Sequence, residues 1–529
     1  MSKLRGVEVL YTVAVFVVFT SFFHNVIAAE SGGAETSLKI PSVKIEGISD
    51  KIFSDAFAVI EKCKLQGNPK QNFPRPFFSP GGRYAKSWWE CDSSLILGAY
   101  KWADWNFAQD SLLNFETAMR ADGRVPHCGY INRINIPIFG ADGKFKYKIG
   151  ADGKVLEYNG NPQCETAYLE LDKCTQMPKL FDIAAGIVRG TSDDKYAERI
   201  YNLLKNYFGW WCANRYDAKT GLFWAVFEET FRPTPHRFDP KKKTIDPTEA
   251  GYAAVDTNME LARACECLAE MAKRLGKAED EKKYLAKKSV ILSAVEKHLW
   301  NETRGAYFSF WLGDGKFDDV LSATTFIAMR FGSAAPARKE KLLKLMTDPS
   351  EFNWGVRPLT SVSMKDAVFT EKRGTYFPSA WDGSVWTFHN EAVVRALADA
   401  GERELSAELA YSTVKTFADA GFCEFVSPSD GAANGVRDYG WSAAQCVQLV
   451  IERLFGIDID MRARRIFIRP NFPKSLKGTA ASIDNLQLPG DMKLSVNVDI
   501  SDSVGITAEL TTPNGKSTVT GVDSLEISF

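Results

Sequence analysis

The chain lacks a surface of one charge. Its 65 lysines and arginines nearly balance 66 aspartates and glutamates, for a net charge of -1. The basic run Lys241–Lys243 is too short to follow a phosphate backbone, so no nucleic-acid partner is expected. The chain also lacks a compact cysteine framework. Its ten cysteines are spread from Cys63 to Cys446, with no CxxC pair and no HExxH. That excludes the familiar zinc signatures. One or two disulfides are expected, with the remaining thiols in the core. Cys265 and Cys267 form C-x-C on a predicted helix and point in different directions. No fixed short period recurs, which argues against a helical solenoid. Long apolar runs are missing except at the start. There, Lys3 and Arg5 precede an uncharged stretch from Val9 to Phe23, followed by the small residues Ala28 and Ala29. This reads as a signal peptide over residues 1–29 and is too short for a firm membrane span. A secreted or periplasmic protein is expected, with an uncleaved anchor as the alternative.

What is present is a large core. Apolar residues make up 45% and charged residues 25%, ordinary values for a globular protein. Aromatics reach 12%, and tryptophans fall in clusters: Trp88 with Trp89, Trp102 with Trp105, Trp210 with Trp211, Trp381 with Trp386. For a single tryptophan the core is the better expectation, although flat aromatic faces also stack on sugar rings.

Residues 30–70 read as a linker and a first helix, Ser49–Lys64. From about residue 90 to 455, helical stretches with i, i+3, i+4 apolar spacing alternate with loops rich in Gly, Pro and aromatics. They are predicted at Ser93–Asn106, Phe107–Arg120, Met177–Arg189, Asp194–Ala213, Thr257–Gly276 and Glu279–Leu299. More follow at Val320–Phe331, Ala335–Thr347, Val385–Ala400, Arg403–Ala420 and Ser442–Phe455. About a dozen helices in antiparallel succession describe a mainly α fold, an (α/α)6 toroid of the six-hairpin type over residues 71–456. After Gly456 the pattern alternates apolar and polar and breaks at Gly, Pro and Asn, so residues 457–529 read as a small β-sandwich-like domain. Gly140–Gly160 contains GADGK twice and reads as a hairpin. A calcium loop is the sharper alternative there, but its acidic spacing fits no EF-hand.

The unusual residues lie in the loops, where ordered length usually serves function. Asp92 opens a helix in WWECDSSLILGAYKW. Such a residue caps the helix for about 1 kcal/mol, or its carboxylate accepts two sugar hydroxyls. Asp122-Gly-Arg-Val-Pro126 reads as a turn. The stretch Phe227–Asp239, FEETFRPTPHRFD, sets Glu228 and Glu229 beside Arg232, His236 and Arg237.

These loops resemble, in order, the motifs of (α/α)6-barrel glycoside hydrolases, closest to glycoside hydrolase family 63, mannosylglycerate hydrolase and trehalase-like enzymes. Trp89-Glu-Cys-Asp92-Ser-Ser is similar to the family's W-x-W-D-S-A, and Asp122–Pro126 to its DGRIP segment. Thr175-Gln176-Met177-Pro178 resembles T-Q-P-P. Trp381-Asp382-Gly383-Ser384-Val385-Trp386 with Asn390 resembles W-R-G-P-V-W…N. Phe422-Cys-Glu424-Phe425 through Pro428 and Gly431, then Trp441-Ser-Ala-Ala444, resembles F-x-E-Y-x-x-P-x-x-G…W-T-A-A. The matches span roughly residues 80–450.

The resemblance implies a glycosidase, expected to invert, with Glu424 as the general base that activates water. The matched motifs make Asp92, Trp89, Gln176, Trp381, Trp386, Asn390 and Trp441 expected sugar contacts, and Arg232 is expected beside them from its charge. An inverting site needs a second carboxyl as acid, roughly 6.5–9.5 Å from the base. The family's acid is an aspartate whose place falls on Pro233 here, and Asp382 stands where the family usually has arginine. Glu229 is the leading substitute, because aromatic burial raises a carboxyl's proton affinity. Asp382 is the second. Arg232, His236 and Arg237 suggest an anionic group on the sugar, or internal ion pairs to Glu228 or Glu229. No cofactor or metal is expected, and the partner is an oligosaccharide or glycoside. Two alternatives stay open: a polysaccharide lyase on the same toroid recruiting His236, Arg232 and Tyr439, and a catalytically degenerate barrel that binds glycan.

Overall fold

The computed structural model describes residues 38–68, 73–85, 87–130, 147–149, 155–158, 161–162, 174–226, 229–232, 251–371 and 381–529. The signal-peptide reading therefore lies outside the described residues, as do Glu228, Pro233, His236 and Arg237. All twelve predicted helical stretches are helical, most with ends close to expectation; the second stops at Tyr100 rather than Asn106, and the last continues as a π-helix over Leu449–Leu454. They are α1 (Ile52–Cys63), α2 (Glu90–Tyr100), α3 (Trp105–Ala118), α4 (Leu180–Arg189), α5 (Asp194–Asn214) and α6 (Val255–Arg274). After α7 (Ala278–His298) comes a 3₁₀ segment, Ala323–Gly332, and then α8 (Pro336–Met346), α9 (Thr387–Asp399), α10 (Arg403–Asp419) and α11 (Gly440–Gln448). The 3₁₀ segment replaces the α-helix predicted at Val320–Phe331. Two β-branched threonines, Thr324 and Thr325, crowd its start, and Phe331 turns left-handed at φ 60.

The helices divide into two kinds for a physical reason. On α5, Ala197, Ile200, Leu204, Tyr207 and Trp211 make one buried stripe, and Asp193 caps its start by accepting from the N–H groups of Lys195 and Tyr196. Such a helix faces the core on one side and solvent on the other. On α2 every residue is buried, as on α11, so these helices are enclosed on all sides. The inner elements, enclosed along most of their length, are α2, α4, α6, the 3₁₀ segment, α9 and α11. Each packs on the next, and α11 returns to α2, closing a ring. Close approach within the ring depends on Gly98. A Cβ there would lie 2.4 Å from Gln448 Nε2 and 2.7 Å from Ile183 Cδ1. The outer helices fill between: α3 packs on α2 and α4, α5 on α4 and α6, α10 on α9 and α11. This alternation of inner and outer helices fits an (α/α)6 toroid.

Alternating antiparallel helices send all six inner elements in one direction. Their N-termini, and the loops that lead into them, therefore collect at one end of the ring. Six positive dipole ends there favour acidic side chains.

Beyond Leu454 the chain is β, as expected. Thr479–Leu488, Met492–Ile500, Gly505–Thr512 and Gly515–Val522 form successive antiparallel strands. Ile457–Asp460, Arg465–Ile468 and Leu525–Ser528 form a second sheet. One strand of the larger sheet was missed. Ser42–Lys44, read as linker, pairs with Ser482–Asp484 at the edge of the larger sheet. Its buried Val43 and Ile45 are too short a run to signal a strand. The sheets meet the helices through Trp105 Nε1, which donates to Gln487 O at 3.0 Å, and through Arg189 and Asp458 at 2.8 Å. Ile40–Phe529 is one compact unit. In the expected hairpin, Tyr147–Ile149 pairs antiparallel with Val155–Tyr158, and the turn between them lies outside the described residues.

The disulfide expectation fails among the described residues. All nine described cysteines are free thiols, eight of them buried. Most sit on different elements as small apolar fillers, Cys265 and Cys267 share α6, and burial pushes the Cys63 thiol up to about 12. No described helix is long and apolar enough to cross a membrane.

Candidate active site

The loops at the N-terminal end of the inner ring are tied to one another in sequence. The Cys91 N–H donates to Gln176 Oε1 at 2.7 Å, joining the starts of α2 and α4. The Thr175 N–H donates to Glu229 Oε1 at 3.1 Å, joining α4 to the loop before α6. Arg232 on that loop reaches Asp318 with Nη1 and Asp382 with Nη2, both at 3.1 Å. Val385, before α9, and Val426, before α11, exchange backbone hydrogen bonds at 3.0 Å each way. The Tyr439 hydroxyl donates to Asp92 Oδ1 at 3.0 Å, which returns the circuit to α2. These bonds link the loops that carry Asp92, Gln176, Glu229, Asp382 and Glu424 into one rim.

Glu424 follows α10 across Phe422, whose φ is 52, and lies on the loop leading to the short strand Phe425–Val426. Its Oε2 accepts from the Val436 N–H at 2.9 Å. The facing residue must be glycine: Gly435 has φ +68, and a Cβ there would stand 2.5 Å from Glu424 Oε2.

An aromatic wall runs beside the carboxylates. Trp381 and Trp386 stack at 3.9 Å. Trp386 lies 4.8 Å from Phe425 and 6.1 Å from Trp441. Trp441 meets Tyr439 at 5.3 Å, and Tyr84 continues to Tyr439 and to Trp89. The indole N–H groups of Trp381 and Trp441 are buried with no hydrogen-bond partner among the described residues. Trp89 is turned aside, with its Nε1 on Ser87 Oγ at 2.5 Å.

The geometry bears on several of the expected site residues. Glu229 is on the expected loop but is fully buried. Its Oε2 accepts from Arg215 Nε at 2.7 Å and the Val226 N–H at 3.0 Å. Its Oε1 accepts from Arg215 Nη2 at 2.9 Å and the Thr175 N–H. Four donors converge on one carboxylate, an arrangement that ties loops together and suits no proton donor. Arg232 does not pair with Glu229. Its two terminal nitrogens bond Asp318 and Asp382, so among the described residues it bridges two loops. Asn390 is likewise internal: it accepts from the Leu359 N–H at 2.9 Å and donates to Leu359 O and Trp386 O. Asp92, in the first turn of α2, accepts from the Tyr439 hydroxyl, which engages it across the rim. Gln176 spends its carbonyl oxygen on Cys91.

Sequence reading missed Asp256, Asp318, Tyr252 and Arg215. Asp256, in the first turn of α6, accepts from the Phe231 N–H at 2.6 Å and from the Thr230 hydroxyl, pinning the loop that carries Arg232. Burial pushes it up to about 6. An acidic residue at a predicted helix start was the available signal. Below the rim, Lys179 bonds Glu260 at 3.1 Å and Glu391 at 3.5 Å. Burial raises the Glu391 carboxyl, but Arg395 and Lys179 outweigh it and hold the group at about 2. Among the described residues no group of His, Cys, Asp and Glu is arranged to hold a metal.

Known glycoside hydrolases are similar to this chain in sequence and in fold. The family model described as "Mannosylglycerate hydrolase MGH1-like glycoside hydrolase domain" matches residues 85–442. A mannosylglycerate hydrolase of Rubrobacter radiotolerans is 28% identical over 198 residues, 37% of this chain and 43% of the relative. A periplasmic trehalase of Citrobacter koseri is 21% identical over 51% of this chain and 49% of the relative. The chain thus matches less than half the length of these curated relatives. The crystal structure of the GH63 mannosylglycerate hydrolase from Thermus thermophilus with Tris and D-glycerate superposes with a TM-score of 0.59 at 19% identity. That match covers 75% of this chain and 99% of the other, a likeness of fold. With the family model matching well over half of its length, the chain belongs to the MGH1-like glycoside hydrolase family.

Proposed function

We propose that the protein is an exported, inverting glycoside hydrolase with Glu424 as general base and Asp382 as general acid. The observation that carries this reading is the Val385–Val426 pairing, which brings the loop of Asp382 against the loop of Glu424 beside the Trp381–Trp386 stack. In the reaction, Asp382 gives its proton to the glycosidic oxygen as the bond to the anomeric carbon breaks. Glu424 takes a proton from water, whose oxygen bonds that carbon from the opposite face. One water is consumed, and the two carboxyls exchange their protonation states. The unpartnered indole N–H groups of Trp381 and Trp441 donate to sugar hydroxyls, and the aromatic wall covers the apolar face of the ring.

Mannosylglycerate and trehalose, named for the relatives, are the first substrates to test, with 4-nitrophenyl glycosides beside them. Product anomers followed by NMR, with uptake of labelled water oxygen at the anomeric carbon, test the reading. Retention of configuration, or a product with a new double bond, overturns it. The two sheets over residues 457–529 act as a small domain bracing the helices, and residues 1–29 direct export.

A further inference from the structure

Arg232 is the link between two carboxylates on different loops. It is buried and its loop is held by Asp256, so its guanidinium has a set position. One nitrogen bonds Asp318 Oδ2 and the other Asp382 Oδ1. Asp318 is held in turn by the Tyr252 hydroxyl, which donates to Oδ2 at 2.8 Å, and by the Val320 N–H on Oδ1 at 3.4 Å. Tyr252 itself is locked in place, pairing through its backbone with Trp311 and packing its ring on that indole at 4.8 Å.

We propose that Asp318, held by Tyr252, is a positioning residue that governs through Arg232 whether Asp382 holds its proton. The inference rests on the reading of Asp382 as general acid. A guanidinium shared by two carboxylates stabilises each less than it would stabilise one alone. With Asp318 charged, Arg232 is divided and like charge stands nearby, so Asp382 retains a proton more readily. With Asp318 neutral, the whole cation falls to Asp382 and favours its ionised form. Tyr252 acts in the opposite sense. Its hydroxyl supplies part of what Asp318 needs, and its removal makes Asp318 draw harder on Arg232.

Other titratable groups flank the cluster. The His389 ring lies 6.1 Å from Phe231, and burial holds it at about 3, so it stays neutral at working pH. Lys179 Nζ lies 5.6 Å over the Phe231 ring and is bonded to Glu260 and Glu391. Asp256 accepts from the Phe231 N–H, and Asp366 accepts from the Leu321 N–H at 2.9 Å. All four remain in every variant below.

The test is the pH profile of kcat/KM on whichever of mannosylglycerate, trehalose or a 4-nitrophenyl glycoside the full-length enzyme turns over. A general acid fails as pH rises through its own value, so it sets the alkaline limb. Asp318→Asn is expected to move that limb down by about one pH unit. Tyr252→Phe is expected to move it up by less, and Asp318→Glu to restore it. KM stays within about twofold while kcat at neutral pH changes, because the acid acts in the transition state. A structural role alone does not drive two variants in opposite directions. An unmoved limb in folded Asp318→Asn, or a shift of the same sign in both variants, overturns the inference. If Asp318→Asn does not fold, the direction in Tyr252→Phe decides. Asp382→Asn separates the two levels: full activity there removes the acid assignment and this inference with it. Lost activity there with an unmoved limb in Asp318→Asn removes this inference only.

Discussion

Arg215 grips Glu229 through two nitrogens, Nε on Oε2 at 2.7 Å and Nη2 on Oε1 at 2.9 Å. The pair is buried between Trp210 and Trp224, whose rings lie 4.8 and 4.5 Å from the guanidinium carbon. Breaking such a pair leaves an uncompensated buried charge, at about 3–5 kcal/mol. Glu229→Gln is therefore expected to lower stability by that order in denaturant unfolding. The alkaline limb of activity in the surviving folded protein stays where it was. A stable Glu229→Gln enzyme whose alkaline limb is gone would return the acid role to Glu229.

Glu424→Gln keeps the shape and the hydrogen bond from Val436 but removes the base. Turnover is expected to fall by roughly 10²–10⁴-fold, with the melting temperature little changed and ligand binding retained. Calorimetric titration with the wild-type substrate checks the binding. Turnover equal to wild type would leave the chain as a glycan-binding barrel or an enzyme with another base.

Gly435→Ala tests the base without replacing it. The added methyl would meet Glu424 Oε2 at 2.5 Å, in a backbone conformation that disfavours alanine. The expected result is a lower kcat with KM nearly unchanged, read by steady-state kinetics. Equal loss in kcat and in stability, with no change per folded molecule, speaks against Gly435 as a support for the base.

Trp381→Phe keeps an aromatic face against Trp386 but deletes the indole donor. KM is expected to rise about two- to tenfold, in line with roughly 0.5–1.5 kcal/mol for such contacts. Trp381→Ala is expected to raise it further. An unchanged KM in both variants would place the sugar elsewhere on the rim.

Glu90 is wholly buried, and neither carboxyl oxygen has a hydrogen-bond partner among the described residues. Burial pushes the group well above the usual carboxylate range, Asp92 adds to this and His127 opposes it. The folded protein then keeps a proton that the unfolded chain releases above about pH 4.3. Stability attributable to Glu90 is highest below that value and falls as pH rises toward the folded-state value. Glu90→Gln imitates the protonated form. It is expected to flatten that part of the stability–pH curve and to raise the melting temperature at neutral pH. A steeper curve in the variant would contradict the neutral assignment.

The helices were legible because their information is local. Apolar residues three and four apart specify a buried stripe wherever the chain goes, and all twelve stretches fold as helices. The β segment was legible through strict alternation, as in Met492–Ile500, where every second residue is buried. Ser42–Lys44 was not, since a three-residue edge strand carries no period and is defined by its partner about 440 positions later. The rim was legible as an ordered set of motifs, which is how Asp382, Glu424, Trp381, Trp386 and Trp441 came to be named as candidates.

Roles within the rim depended on partners the sequence does not pair. FEETFRPTPHRFD announces carboxylates and cations on one loop and suggests that they neutralise one another. The folded chain instead gives Glu229 to Arg215, fourteen residues back, and Arg232 to Asp318 and Asp382, 86 and 150 residues ahead. The sequence by itself determined which elements form and which residues arrive at the inner-helix starts, because those depend on short-range periodicity and motif order. Only the tertiary structure decided which carboxylate is clamped and which lies on the loop paired with that of Glu424. That choice is made by hydrogen-bond geometry between loops brought together when the ring closes.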